Sequence, residues 1–339
     1  MRRLAAALVC ASLALAAPTV VLATAKRSWA EAEIKLATAH GLMGGDPAAF
    51  RPDAPLTRAA LDELVFGLTG RPQQPTGVSN AHVSIAALDR ALVRALGLGD
   101  DARLFDLGLR AAGLRSPSRF GSEVVARLLG LRKNHEVPND HLELLPGDDA
   151  TRAEAAYSAA QVLRLGKWQT ASVEDASAEF ELPPYTAWQR RVLQTAVNLI
   201  GYPYVWGGMS PAPQTLQGVA SLGGFDCSGF VWRVFKLHRY SHGGALAQTL
   251  RGRTAAQMAA EVPGARRISL EQLEPGDVMF FGRGGRRARA AAIDHAGVYL
   301  GGNWMIHSSR YGVALAPVAG WYAERFAWGR RPLAEAGLA

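Results

Sequence analysis

Cysteine is nearly absent from this chain: there are two in 339 residues, Cys10 and Cys227. Cys10 lies in an alanine-rich apolar run, Leu4 to Leu22, which follows Met1-Arg2-Arg3 and precedes Ala23-Thr24-Ala25 and Lys26-Arg27. That order reads as a secretory signal peptide over residues 1–25. Its removal leaves one thiol and excludes an internal disulfide. Beyond residue 25 no apolar run is long enough to cross a bilayer, so no retained transmembrane helix is expected. A metal site is not expected either. His135, His141, His238 and His242 show no ligand spacing with Cys, Asp or Glu, which reads as surface placement. Charged residues are only 19% against 49% hydrophobic, the balance of a globular chain with ample core and length for about two domains.

Acidic residues are scarce in one half only. Residues 1–181 hold 20 Lys/Arg and 21 Asp/Glu, whereas residues 182–339 hold 17 and 8, a net charge of +9. In a secreted protein such a half suits an anionic polymer or surface such as cell wall. No combination of stacking aromatics with basic residues accompanies the charge, which argues against nucleic acid.

What is present begins with a helical repeat. Trp29 to Ala37 reads as a helix stopped by Gly41, and Thr57 caps a second with Leu61, Leu64, Val65 and Leu68 at helical spacing. Leu56-Thr57-Arg58-Ala59-Ala60-Leu61 recurs as Val83-Ser84-Ile85-Ala86-Ala87-Leu88 and, more loosely, as Ala150-Thr151-Arg152-Ala153-Glu154-Ala155. The pattern gives two complete helix–loop–helix units, 29–69 and 122–165, with a degraded one between. These units resemble the S-layer homology domain. The carriers are Trp29, Gly41, Phe50-Arg51-Pro52 and Leu56-Thr57-Arg58 in the first unit, and Leu145-Pro146-Gly147 and Thr151-Arg152-Ala153-Glu154 in the last. The resemblance implies an all-α module with pseudo-threefold symmetry over 26–165. It also implies binding of secondary cell-wall polysaccharide through the arginine after the cap. Arg58 and Arg152 occupy that position, and Ile85 replaces it in the middle copy. Residues 166–184, rich in Ala, Ser and Glu and ending in Leu182-Pro183-Pro184, read as a linker.

The second half places Cys227 in Phe225-Asp226-Cys227-Ser228-Gly229-Phe230, just ahead of a helix expected over Phe230 to His238. A thiol at a helix N-terminus has its thiolate favoured and its pKa lowered. Three strands are expected, at Asp277–Phe281, His295–Leu300 and Trp304–Ser309, with a tight turn at Gly301-Gly302-Asn303. Neighbouring antiparallel strands can bring His295 and His307 side by side, a base and the group that orients it.

The set resembles the NlpC-type cysteine peptidases, papain-like enzymes of bacterial cell walls. Its carriers are Pro203-Tyr204-Val205-Trp206-Gly207-Gly208, Asp226-Cys227-Ser228-Gly229, Arg253-Thr254-Ala255-Ala256-Gln257, Pro275-Gly276-Asp277, Asp294-His295-Ala296-Gly297 and Ile306-His307. The resemblance implies an α+β domain over 185–332, helices on a small antiparallel sheet. It makes Cys227 the nucleophile, His295 the base, His307 the orienting third member and Tyr204 a site-lining residue. Asp226 and Ser228 match positions that hold a stem peptide's free α-amine, and Trp206 is a further substrate-binding candidate. The implied reaction is hydrolysis of peptidoglycan stem peptides between D-γ-glutamate and the diamino acid, without cofactor. Amidase or acyltransferase chemistry on the same fold, and a non-catalytic wall-binding role, are the competing readings. Two further segments stand out. The long loop from Gly208 to Asp226 could shape or cover the cleft, and Arg283 to Arg289 reads as a solvated basic loop.

Overall fold

The computed structural model describes residues 28–71 and 79–338. The expected signal peptide, with Cys10, lies outside the described residues. Among those described, no helix is long and apolar enough to cross a membrane.

The first half is helical: α1 (Glu31–Ala39), α2 (Arg58–Thr69), α3 (Ile85–Ala95), α4 (Gly99–Ala111), α5 (Phe120–Leu128) and α6 (Arg152–Arg164). Helices α2, α3 and α6 start alike. Thr57, Ser84 and Thr151 each accept from the amide three residues on, which satisfies a first-turn donor that the helix cannot. The residues before these caps close a ring of backbone hydrogen bonds. Leu56 N donates to Ala150 O (2.7 Å), Ala150 N to Val83 O (2.8 Å) and Val83 N to Leu56 O (2.9 Å). All three side chains are buried at its centre. The middle copy is therefore not degraded as a structural unit. Ile85 in place of arginine removes a charge but keeps the corner, because cap and ring depend on Ser84 and the backbone.

Residues 166–184 are not a linker. They form α7 (Lys167–Ala178), with Val173 and Ser177 buried and Ser177 Oγ donating to Asp101 Oδ1 of α4 (2.7 Å). Phe180 then wedges between Phe105 and Trp304, with ring centroids 5.0 and 5.3 Å away. Gly108 on α4 makes the room, since a Cβ there would lie 2.6 Å from the Phe180 ring. Alanine and glutamate are good helix formers, and two small buried residues suffice to dock such a helix. The polar composition concealed this.

The second half begins with α8 (Ala187–Asn198). The Gly208–Asp226 loop folds into two ladders. β1 (Met209–Ser210) pairs with β4 (Gly224–Phe225), and β2 (Gln214–Leu216) with β3 (Val219–Ser221). Next come α9 (Cys227–Trp232), extended by a π-helical turn over Arg233–Leu237, then α10 (Leu246–Thr249) and α11 (Ala255–Ala260). The main sheet is antiparallel, in the order β8 (Gly312–Pro317), β7 (Trp304–Ser309), β6 (Ile293–Gly301), β5 (Val278–Gly282), β9 (Phe326–Arg330). The expected three strands form its centre. The edge strands β8 and β9 were not foreseen, nor were α12 (Trp321–Arg325) and α13 (Pro332–Glu335). Ala296, Val298 and Leu300 join the core beneath α9 and α11, while His295 and Tyr299 take the opposite face.

The halves are joined by polar contacts, buried at Arg127 and exposed towards the rim. Arg127 of α5 pairs with Glu123 at 2.7 Å and donates to Gly201 O (2.6 Å) and Tyr311 O. Arg119 donates to Ile200 O and Asn198 O. Gln194 brackets Arg115, accepting from its amide and donating to its carbonyl. The Arg127 contacts satisfy carbonyls of the second half, Gly201 O among them in buried surroundings, that would otherwise lack a donor.

Candidate active site

Cys227 is the first residue of α9, and Asp226 caps that helix through Gly229 N. Three hydrogen bonds from two strips of chain fix this start. Asp226 N donates to Gly208 O (3.0 Å), Gly207 N to Asp226 Oδ2 (3.0 Å), and Ser308 Oγ of β7 to Phe225 O (2.6 Å). Gly229 has no alternative, because a Cβ would fall 1.9 Å from Gly208 O. The Asp-Cys-Ser-Gly run is thus a packing requirement as well as a chemical one.

The thiol is half-buried at the cleft. Sγ lies 4.0 Å from Asp294 O, beside His295, and the amides of Ser228 and Ala296 are directed to it. No Cys227–His295 hydrogen bond forms in this resting geometry, as is common before substrate tightens a site. The expected lowering of the thiol pKa does not occur. Burial, and then the Asp226 charge, push it up to about 12, outweighing the two amides and Arg253. His295 moves the other way, down to about 4, because burial disfavours the imidazolium. Burial and the neighbouring His295 hold His307 well below its ordinary value. The resting pair is therefore neutral thiol and neutral imidazole.

His295 Nε2 and His307 Nδ1 are 2.8 Å apart, with ring planes at 87°. The residue directly opposite His307 across the β6–β7 ladder is Gly297, whose absent side chain lets the ring lean diagonally to His295. Tyr322 of α12 brings its hydroxyl 3.4 Å from His307 Nε2 and packs against both imidazoles. For His295 to offer its Nδ1 lone pair, its Nε2–H must donate to His307 Nδ1. His307 then carries its proton on Nε2, facing the Tyr322 oxygen. Tyr322 lay in a segment without strand or motif signal, so sequence reasoning missed it.

Tyr204 is half-buried, held through its backbone by Asn134 of the helical half. Its amide donates to Asn134 Oδ1 (2.9 Å) and its carbonyl accepts from Nδ2 (2.8 Å). Burial, then the charges of Cys227 and Asp226, raise its hydroxyl pKa, so it stays a hydrogen-bond donor. Trp206 is 57% exposed on the wall of the cleft.

Asp226 and Ser228 do not stand free for an amine. Arg253 donates to Asp226 Oδ1 (3.2 Å) and Oδ2 (3.1 Å), to Ser228 Oγ (2.8 Å) and to Gly207 O (2.8 Å). With Ser228 Oγ, Gly229 N and Gly207 N also directed at it, the Asp226 carboxylate is fully engaged. Its cation comes from within the protein. Arg253 was visible as part of a motif, but its partner was not.

The remaining candidates lie elsewhere. Arg152 donates to Phe50 O (2.8 Å) and Met43 O (2.9 Å) and stacks 4.5 Å over the Phe50 ring, so its guanidinium ties α6 to the first unit's loop. Arg58 is half-exposed at the equivalent place on α2. His135, expected at the surface, is buried edge-on to Trp29 at 4.5 Å. The 283–289 loop is largely exposed, and its Arg286 pairs with Glu271.

The cleft itself, of about 1130 Å³, runs between the two halves. Tyr204, Trp206, His295, Tyr311, Trp321 and Tyr322 form one wall, and residues 132–137, Asp140 and Tyr157 of the helical half form the other.

Comparison with known proteins agrees with this division. Residues 201–331 match the NlpC/P60 family, and residues 24–61 match the S-layer homology domain. The second half is accordingly an NlpC/P60 domain of papain-like fold, and the first repeat is an S-layer homology unit. A Mycobacterium tuberculosis protein named "Probable endopeptidase" is 35% identical over 127 residues, covering 38% of this chain and 25% of that protein. The gamma-D-glutamyl-L-lysine dipeptidyl-peptidase of Bacillus subtilis is 33% identical over 128 residues, 37% of this chain and 33% of that protein. The murein DD-endopeptidase MepH of Escherichia coli is 36% identical over 113 residues, 33% of each chain. The chain spans a quarter to a third of the length of these relatives, and their names differ in the bond cut.

Proposed function

We propose that this protein is a cysteine endopeptidase of peptidoglycan stem peptides, cutting the D-γ-glutamyl–diamino acid bond, and that its helical half attaches it to the cell wall. The observation that carries the reading is the 2.8 Å His295–His307 pair on the neighbouring strands β6 and β7 beside Cys227, at the edge of a cleft. A binding protein has no need to orient a cleft-lining imidazole with a buried one.

The chemistry follows from the neutral resting pair. His295 Nδ1 takes the Sγ proton as the sulfur attacks the γ-glutamyl carbonyl. Charge separation that burial resists at rest becomes favourable as negative charge moves from sulfur to the carbonyl oxygen. The Cys227 amide, at the start of α9, and the Tyr204 hydroxyl are the candidate donors for that oxygen. The imidazolium, steadied by His307, returns its proton to the leaving amine of the diamino acid. Water, deprotonated by His295, then cleaves the thioester and restores the thiol. Wall attachment draws on the S-layer homology unit, with Arg58 the arginine free to meet an anionic polysaccharide.

The test is digestion of purified muropeptides by the protein and by Cys227→Ala, read by mass spectrometry. An L-Ala-D-Glu product made only by the intact thiol supports the bond assignment. Products cut elsewhere correct the bond, and no cleavage by either removes the peptidase reading.

A further inference from the structure

A second cavity, of about 520 Å³, opens at the seam between the halves and shares no lining residue with the cleft beside Cys227. Arg115, just after α4, enters it from the helical half. Arg190 and Arg191 enter it from α8, and His238 from the chain after the π-helical turn. No carboxylate lines it. The three arginines make no ion pair among the described residues. The sequence shows why none is at hand. Between Glu181 and Glu261 the one acidic residue is Asp226, against seven Lys and Arg. Asp226 is taken by Arg253, and Glu261, Glu271, Glu274, Asp277, Asp294 and Glu335 are paired with other arginines.

The lining is held in place. Gln194 accepts from the Arg115 amide (2.7 Å) and donates to its carbonyl (2.9 Å). Arg191 stacks 4.7 Å over Trp188 and donates to Ser241 O (3.3 Å). The Arg190 stem passes Gly113, where a Cβ would lie 3.4 Å from its Cδ. His238 packs against Tyr240 with ring centroids 4.5 Å apart. Cations gathered without counter-charge repel one another, and an anion among them relieves that cost. Guanidinium forks match the paired oxygens of phosphate and carboxylate. The lining exposes no large apolar side chain of the kind that inserts into a lipid surface.

We infer that this cavity is an oxyanion subsite that holds phosphate or carboxylate groups of an anionic wall polymer. The polymer then meets both halves at once, across their seam, and the basic excess of the second half acquires a definite place. The choice of a wall polymer as occupant rests on the attachment reading, whereas the site itself does not. Neither depends on peptidase activity.

The experiment is titration calorimetry on the full-length protein. The probes are poly(glycerol phosphate), polygalacturonate, uncharged dextran and phosphatidylglycerol vesicles. One or both anionic polymers should bind and dextran should not, and the stronger of the two tells phosphate from carboxylate. Arg115→Ser/Arg190→Ser/Arg191→Ser should weaken that binding at least about 10-fold, as loss of hydrogen bonds to a charged partner does. A charge-matched control, Arg283→Ser/Arg287→Ser/Arg289→Ser, removes three exposed arginines of another loop and should leave the affinity nearly unchanged. Bound polymer should also raise the melting temperature of the protein and not that of the site variant. If the triple variant does not fold, Arg115→Glu and Arg190→Glu, each alone, serve in its place. No binding of either anionic polymer, an equal loss in the control, or binding confined to the vesicles would overturn the inference.

Discussion

The two halves use the same local device for different ends. Helices α2, α3, α6 and α9 all begin on a side-chain cap. In the helical half the residues around those caps are spent on one another: a closed backbone ring, and an arginine, Arg152, that ties down a loop. In the second half the residue after the cap is a thiol, and histidines from the sheet stand near it. A capped helix start is therefore neutral about function, and what the tertiary structure sets opposite it decides. Buried titratable groups divide similarly. Asp89, Glu123, Glu143 and Glu154 of the helical half sit among Arg127, Arg132 and His135, whereas His295 and His307 have each other as neighbours and His295 faces the cleft.

The largest effect that would break this contrast is on activity. Cys227→Ala should lower turnover by at least about 10⁴-fold, as loss of a nucleophile does, with an unchanged circular dichroism spectrum. Residual turnover near wild type would mean that the chemistry lies elsewhere. Next in size is the seam between the halves. Arg127→Met leaves Glu123 buried without its partner and frees two carbonyls. It should cost about 3–5 kcal/mol in denaturant unfolding and split one transition into two.

The pH response should separate the halves. His295 has its pKa lowered to about 4, against an ordinary 6.5. Between those values the unfolded chain binds the proton and the folded one does not, so stability falls as pH drops from about 6.5 to about 4. Activity should hold to mildly acidic pH and decline only near 4, where the base is protonated. Glu143, in the helical half, is raised by burial to about 8 from 4.5. Here the folded chain holds the proton longer, so stability falls as pH rises from about 4.5 to about 8. Melting temperatures across pH for the protein, His295→Ala and Glu143→Gln should show each slope reduced in its own variant. A slope unchanged by its variant would refute that assignment.

The smallest expected effects concern the two repeat arginines. Arg152→Met should lose about 1–2 kcal/mol with its two carbonyl contacts, while Arg58→Ala should change stability by under about 0.5 kcal/mol. If Arg58 meets wall polysaccharide, Arg58→Ala should weaken sedimentation with purified walls. Equal sedimentation would make it an ordinary surface residue.

Much of this was legible in the chain. Cys227, His295 and His307 could be named because each sits in a local pattern, a helix start or alternating strands, whereas Tyr204 was named through the family resemblance alone. Helix starts at Thr57, Ser84 and Thr151 were readable for the same reason, since a hydroxyl cap acts within three residues. Phe180, Arg253 and Tyr322 show what was not. Phe180 docks a helix that composition disguised as a linker, and its partners Phe105 and Trp304 lie 75 and 124 residues away in the chain. Arg253 reaches Asp226 across 27 residues, and Tyr322 reaches His307 across 15, without any periodicity to announce them.

The sequence by itself determined where Cys227, His295 and their supporting elements lie, because caps, turns and strand alternation are short-range physics. Tertiary structure alone decided the charge state of that site. Burial raised the thiol and lowered the imidazole against what a helix start would give, since desolvation depends on everything packed around a group. It also decided that Asp226 is already paired, and that the helical half, through Asn134 and Asp140, closes the cleft. These are long-range contacts, and no local pattern encodes them.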